Sequence, residues 1–459
     1  MTEKRSPLAL LTGHWVTMFG AALVTLAGVS WLFALPLNVR GNVENPYIGL
    51  LLFVALPLLF FAGLAMIPVG IWLSRNRLVT RETSWRRAVL FIAIMTPVNI
   101  IMGSQLTYRA VEHMDTVQFC GQTCHVMKPE FTAHQSPPHQ AVACAACHIA
   151  PGATGWLHAK MAGTRQLMGV MFNNFPRPIE SAIENNRLVS SSLTCEQCHA
   201  RDRIVGQRIR VLTAYKDDES NSRTRTVLMM LVGGGTGGGI HGAHMGPGVS
   251  IRYAAADAKR QTIPWVEYRD SKSGTTRSYQ DAGTKPEDAV RSLPKFEMQC
   301  VDCHNRAAHS FEQAEHAVDE ALLAGRISPS LPFVKKSGLT LLKAAYSSDA
   351  DAAQRIPAGL VDFYRKSYSD VFTKRTGEVQ AAGAELNAIY SRNVFPDLKV
   401  TWGTYVNNLG HTDSPGCFRC HDGNHTTVDK KTITQDCSAC HNAVAVDEPA
   451  PEVLKTLGL

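Results

Sequence analysis

Three long apolar stretches open the chain, and mixed polar sequence comes after them. The first runs from about Trp15 to Leu37, the second from about Tyr47 to Leu73, and the third from about Ala88 to Leu106. A hydrocarbon core is crossed by about 20 apolar residues, so each is long enough to span one. Pro57, Pro68 and Pro97 lie inside the second and third, a position that membrane helices tolerate. The first stretch is too long for a cleaved leader and lacks a small-x-small exit, so it reads as an anchor. Further along, Thr224–Val232 and Val249–Tyr253 read as strands. Phe311, Ala314, Val318 and Leu322 recur at helical spacing, and 311–394 reads as an amphipathic helical scaffold. Gly233–Gly239 is a glycine-rich turn, with no Gly-Lys-Ser/Thr to make it a phosphate loop.

The arginines orient the spans. Arg75, Arg77, Arg81, Arg86 and Arg87 crowd the loop after the second span, and Lys4 and Arg5 precede the first. The loop after the first span has only Arg40. Positive charge stays on the cytoplasmic side, so the N-terminus and the 74–87 loop are expected inside and Tyr108 outside.

Beyond Tyr108 the chain is dominated by cysteine motifs. Five times it reads Cys-x-x-Cys-His: Cys144-Cys147-His148, Cys195-Cys198-His199, Cys300-Cys303-His304, Cys417-Cys420-His421 and Cys437-Cys440-His441. A sixth motif, Cys120-Cys124-His125, has three intervening residues. All twelve cysteines are used. Random placement would give roughly 0.01 such pentapeptides in this composition. The pattern is that of covalent haem c, with two thiols joined to the vinyl groups and the histidine on the iron. Zinc ribbons do not place a histidine after every pair. For the irregular first motif the alternative reading is a local disulfide. Attachment of this kind occurs outside the cytoplasmic membrane, which agrees with the arginine argument. The expected fold is thus a mainly α membrane protein, with three transmembrane helices followed by an extracytoplasmic multihaem c domain with minor β. Only His14 lies near a span, so no membrane b-haem pair is expected.

The motifs divide the 459 residues into an anchor (1–108), a region of motifs one to three (109–200), and a motif-free, partly β segment supplying ligands (201–295). The fourth motif with the helical scaffold (296–396) and the last two motifs (397–459) complete the chain. The formal charge of +7 does not indicate nucleic acid: no basic tract carries interleaved aromatics, and twelve propionates would bring the reduced holoprotein to about −5.

Ten histidines outside the motifs and His14 are candidate second ligands: His113, His134, His139, His158, His241, His244, His309, His316, His411 and His425. Six irons need at most six. His139, His309, His411 and His425 lie close to motifs, and His241 and His244 flank the glycine turn, so these six are the expected distal ligands. His316 sits between Glu312 and Glu320 on a polar face and reads as surface. Doubly ligated irons have no open position, which favours electron transfer over substrate reduction. Met127, two residues after His125, is either an alternative ligand or a thioether packed on porphyrin.

The string Cys120–Met127 with Lys128, Pro129 and Glu130, then Ser136 to Cys147, resembles the opening haem pair of the NapC/NirT family of membrane-anchored quinol-dehydrogenase cytochromes. Asn174–Ile179, Thr194–His199, Lys259–Gln261, Ile263–Val266, Cys303–Arg306 and Gly416–His421 resemble the family's longer multihaem branch, which includes inner-membrane cytochromes of metal-reducing bacteria. The resemblance covers about 105–445. It implies an inner-membrane protein with a periplasmic haem domain, serving anaerobic respiration: quinol gives electrons to the first haem, and they pass to a periplasmic cytochrome or terminal reductase. It also implies that Met127 ligates the first haem and that Lys160 lies near the quinol. Two departures from the short members are the three spans and the extra residue in the first motif. The expected activity is that of a quinol dehydrogenase. The rivals are a multihaem reductase of a nitrogen or sulfur oxyanion and a subunit fed by a protein donor. Quinol oxidation releases protons, and Asp115, Lys128, Glu130, Lys160 and His113 flank the first motif. Lys160, Asp115 and Lys128 are the candidate acceptors, Lys160 first.

Overall fold

In the computed structural model, residues 12–38, 55–74, 81–123, 125–185, 187–233, 238–283 and 287–458 are described. They form two compact units, divided after Thr123.

Among its described residues the first unit has three α-helices, α1 (Trp15–Asn38), α2 (Leu56–Ser74) and α3 (Arg81–Met114). Among the described residues, α2 and Glu82–Met114 of α3 are long and apolar enough to cross a membrane. Trp15–Ser30 of α1 is a shorter apolar helix. The arginines at 40, 75 and 77 and the first part of the second stretch lie outside the described residues. Glycine lets α1 and α2 touch backbone to backbone. A Cβ on Gly20 would stand 2.7 Å from the Gly63 carbonyl oxygen, and one on Gly63 2.8 Å from that of Gly20. Small residues do this in membranes because lipid provides no hydrophobic drive, so close packing must hold the helices. The third helix does not stop at Leu106 but continues to Met114. Nothing in Ser104–Met114 breaks it, and Arg109 pairs with Glu112 one turn on at 2.9 Å.

The second unit holds two antiparallel sheets and a helical scaffold. One sheet has the order β1 (Arg208–Tyr215), β2 (Arg223–Met230), β8 (His441–Glu448). The other runs β6 (Lys295–Glu297), β3 (Val249–Ala254), β4 (Trp265–Asp270), β5 (Thr275–Asp281), β7 (His425–Thr426). Sequence predicts two strands within 201–295, and the structure has β1 to β5 there. Arg208–Tyr215, Trp265–Asp270 and Thr275–Asp281 carry charged or hydroxylic residues on both faces, so alternation does not reveal them. Both sheets are completed by strands from the last motif pair, so the motif-free segment and the C-terminal region fold together.

The scaffold follows the expected stripe except at Phe311, which precedes the helix and packs against Tyr405 instead. Ala314, Val318 and Leu322 of α4 (Ala314–Leu323) are buried. They pack in one core with α5 (Val334–Leu342), α6 (Asp349–Ser367) and α7 (Ser369–Asn393), through Leu342, Ile356, Leu360, Leu386 and Ile389. His316 of α4 points out and meets Asp413 at 3.4 Å.

A buried ion pair pins this scaffold to β1. Lys335 Nζ lies 2.7 Å from Asp319 Oδ1 and donates to the Tyr215 carbonyl, while the Tyr215 N–H donates to Asp319 at 3.1 Å. Removing one partner strands the other charge out of water, which costs about 3–5 kcal/mol, whereas an apolar replacement of both costs far less. Lys335→Met is therefore expected to lower unfolding free energy by about 3 kcal/mol in denaturant titrations of the holoprotein. Lys335→Met with Asp319→Leu should recover most of it. Equal losses in both variants would show that the pair does not hold the scaffold.

Candidate functional site

Each regular motif sits on a short turn of helix. Cys144–His148 and Cys300–Cys303 are α-helical, and Cys195–Gln197, Gly416–Arg419 and Cys437–Ala439 are 3-10 turns. In three of them the histidine N–H returns to the carbonyl of the first cysteine, at 2.8 Å for His199 and for His304 and 3.1 Å for His421. Glycine makes one of these turns feasible. Gly416 has φ +48°, and a Cβ there would meet the Gly410 carbonyl oxygen. The Cys417 N–H donates to that same oxygen at 2.9 Å, which starts the motif.

The motif histidines face histidines from elsewhere in the chain. Ring centres are 6.1 Å apart for His148 and His309, 6.1 Å for His199 and His139, and 6.2 Å for His304 and His241. They are 5.8 Å apart for His421 and His244 and 6.1 Å for His441 and His411. Two imidazoles on one metal, each bonded at about 2 Å, place their ring centres about 6 Å apart. A ligating histidine also donates its other ring N–H to a carbonyl. His309 Nδ1 donates to Glu130 O at 3.0 Å, His139 Nδ1 to Ala307 O at 2.9 Å, and His241 Nδ1 to Val232 O at 3.1 Å. His244 Nδ1 donates to Ile240 O at 2.7 Å and His421 Nδ1 to Thr434 O at 2.7 Å. Each leaves Nε2 for iron. Burial lowers the pKa of His148, His244 and His304 and takes His309 to about 4, which keeps these rings neutral, as ligands must be. The donor set fits haem at five motifs.

His425 is a correction. Its buried ring is held at both nitrogens, Nδ1 by Asp422 at 2.9 Å and Nε2 by the Ile263 carbonyl at 2.6 Å, so neither is left for a metal. It fastens β7 to the chain before β4. His134 shows a different pattern. Nε2 is engaged by Val142 O at 2.9 Å, Nδ1 is buried without a partner, and the ring lies 6.1 Å from His309. His113 stacks edge-on with Phe119, and His158 is exposed on a surface helix.

Successive motifs are also neighbours in space. Burial raises the Cys147 thiol, and Cys195 raises it further. A hydrogen bond from Cys300 holds Cys195 below the usual thiol value, and the same bond raises Cys300. Burial takes Cys303 up to about 11 beside Arg419 and Cys417, and Cys420 up to about 12 beside Arg419 and Cys303. Cys440 is raised by burial and by Cys417. Each motif from the second to the fifth thus has a cysteine close to one of the next motif in chain order.

Polar bolts fix that succession, and sequence reasoning did not single them out. Arg419, inside the fifth motif, donates to Gly416 O at 2.8 Å, Arg260 O at 2.8 Å and Asp302 O at 2.7 Å. Asp302, inside the fourth motif, accepts from Arg260 at 3.1 Å and from the Tyr253 hydroxyl at 2.5 Å. Gln299 accepts from the Ser191 N–H at 2.8 Å, which ties the turn before the third motif to the fourth. The signal available in sequence was charge at the x positions of motifs that otherwise need none.

The first motif is divided between the units. Cys120 lies in the turn Phe119–Thr123, and its Sγ contacts Met114 O at 3.8 Å. Cys124 and the side chain of His125 lie outside the described residues. Met127 is half-buried at the end of the turn His125–Met127. Lys128 Nζ is engaged by Asp349 at 2.6 Å and lies 5.5 Å above the Phe395 ring, which joins its helix to the scaffold. Lys160 lies over the Trp156 ring at 5.7 Å. Asp115 comes directly after α3, its N–H donating to Val111 O at 3.1 Å. Burial raises the pKa of Glu130.

Apolar helices long enough to cross a membrane, together with serial Cys-x-x-Cys-His turns capped by paired histidines, define a membrane-anchored multihaem c-type cytochrome. Residues 82–226 match the N-terminal region of the NapC/NirT cytochrome c family. The chain is 34% identical over 448 residues to the cytochrome c-type protein ImcH of Geobacter sulfurreducens, covering 94% of this chain and 87% of the relative. It belongs to the NapC/NirT cytochrome c family. No solved structure matches it.

The five histidine pairs carry a direct test. His139, His241, His244, His309 or His411 replaced by alanine should each convert one haem to a high-spin form, read by electron paramagnetic resonance of the oxidised protein. His425→Gln should leave the spectrum low-spin and cost only stability. A high-spin signal from His425→Gln, or none from His241→Ala, would reverse the assignment.

Proposed function

We propose that this cytochrome oxidises membrane quinol and relays electrons through six covalently bound haems to a periplasmic acceptor. The observation that carries the reading is the succession of neighbouring motifs, each closed by two histidines. Haem bound at each motif supplies a one-electron carrier. The histidine pairs leave those positions no room for a small oxyanion, which favours a relay over a reductase. The turn bearing Cys120 comes soon after α3, so donation at the first motif occurs beside the membrane. Three spans, an inner-membrane location and a periplasmic haem domain are supported by the arginine distribution and by the compartment in which haem c is attached.

Quinol gives up two protons with its two electrons, so the donor site needs a proton acceptor and a group to hold the oxygen. Asp115 Oδ is the acceptor to test, and Lys160 Nζ the group that orients. Lys160→Ala and Asp115→Ala are each expected to slow quinol-driven haem reduction at least tenfold, measured by stopped-flow absorbance, with dithionite reduction unchanged. Full quinol rates in both variants would favour a protein donor. Intact mass should show six haems, and five would return Cys120 and Cys124 to the disulfide reading.

A further inference from the structure

Between the second and third motifs, the helix Gly152–Met171 is inverted for an element facing water. Leu157, Met161, Leu167, Met168, Met171 and the following Phe172 are 48% to 71% exposed. Trp156 is 41% exposed. No residue of the helix is buried, and its half-buried positions include the small residues Gly155, Ala159, Ala162 and Gly169. At 3.6 residues per turn the seven large apolar side chains fall within an arc of about 160°, with the small residues on the opposite side. A helix on a soluble surface places these faces the other way round.

Two features say what covers the outer face. The helix contains Lys160 and Arg165 and no acidic residue, so its charge complements an anionic surface. Lys160 Nζ lies over the Trp156 ring, an amphipathic pairing that suits the boundary between headgroups and acyl chains. The chain already carries helices apolar and long enough to cross a bilayer, so that phase is at hand.

We propose that Gly152–Met171 lies in the headgroup region of the bilayer that anchors the chain, its apolar arc toward the acyl chains and Arg165, at the edge of that arc, reaching anionic lipid phosphates. A long cationic side chain can do this while its stem stays against apolar surface. The seating requires an anionic membrane and does not depend on quinol being the electron donor.

The test uses full-length holoprotein in vesicles of phosphatidylethanolamine and phosphatidylglycerol. Nitroxide labels go on cysteines introduced singly at Leu157, Met161, Met168 and, on the other face, Gln166, with haem absorbance confirming each variant's fold. Power saturation should show oxygen accessibility relative to a nickel chelate at least threefold higher at the three apolar positions than at Gln166. Equal ratios at all four would overturn the proposal in favour of an aqueous face. Labels shielded from both reagents would overturn it in favour of a protein partner or a second copy of this chain. Replacing phosphatidylglycerol by phosphatidylcholine should lower the ratio at Met161 at least twofold, and an unchanged ratio would remove the anionic-lipid part.

Discussion

The pairing of histidines across about six ångströms is the constraint on which the rest of the second unit depends. A Cys-x-x-Cys-His turn is too short to bury a core of its own. Its partner comes from far along the chain: His309 for the second motif, His241 and His244 for the fourth and fifth. Bringing such segments together costs chain entropy that rises only slowly with loop length, so long connections are tolerable if their ends are firmly held. Firmness comes from backbone. Rings such as His241 and His244 donate Nδ1 to carbonyls whose own positions are set by helix or strand, Val232 O by the end of β2 and Ile240 O by the helix Gly239–Met245. That helix carries both His241 and His244, one turn apart, and so fixes the fourth and fifth motifs relative to each other.

Spacing between motifs rests on buried charge as well as on packing. Arg419 spreads its guanidinium over three carbonyls, one of them Asp302 O, and Asp302 takes its own charge partner from Arg260. Lysine could not replace Arg419, because one ammonium cannot serve three divergent acceptors with a planar fork of donors. Ions of this kind are tolerable when well hydrogen-bonded, and here the bonds from Arg419 to three carbonyls and from Arg260 to Asp302 hold motifs four and five against sliding past each other. The helical scaffold contributes the hydrophobic mass that these small turns lack, and Lys128–Asp349 joins it to the helix after the first motif.

Much of this is legible in sequence wherever the chemistry is local. The attachment motifs, the apolar helices and the stripe Ala314–Val318–Leu322 are short-range patterns, and the structure describes them where the spacing puts them. Partnership is not local. His425 lies as near a motif as His309 does, yet its ring is spanned by Asp422 and the Ile263 carbonyl, a fate decided by β7 pairing with β5. The strands escape notice for a related reason: β4 and β5 carry charged or hydroxyl residues on both faces, so cross-strand pairing rather than an alternating stripe defines them. Arg419 and Asp302 are hidden inside motifs whose cysteines and histidine draw all the attention.

Small residues have the same meaning in both units, and the contrast between their settings shows which solvent each surface was built for. In α1 and α2, Gly20 and Gly63 face each other and the large apolar side chains turn outward: Phe19 is half exposed, and Leu58 and Phe61 more so. In Gly152–Met171, Gly155, Ala159 and Ala162 again take the covered side and the methionines and leucines the open one. The scaffold does the reverse: Ala314, Val318 and Leu322 point in while Glu315 and His316 point out. Since water rewards burial of large apolar groups and lipid does not, the outward leucines and methionines of Gly152–Met171 fit the proposed seating against lipid.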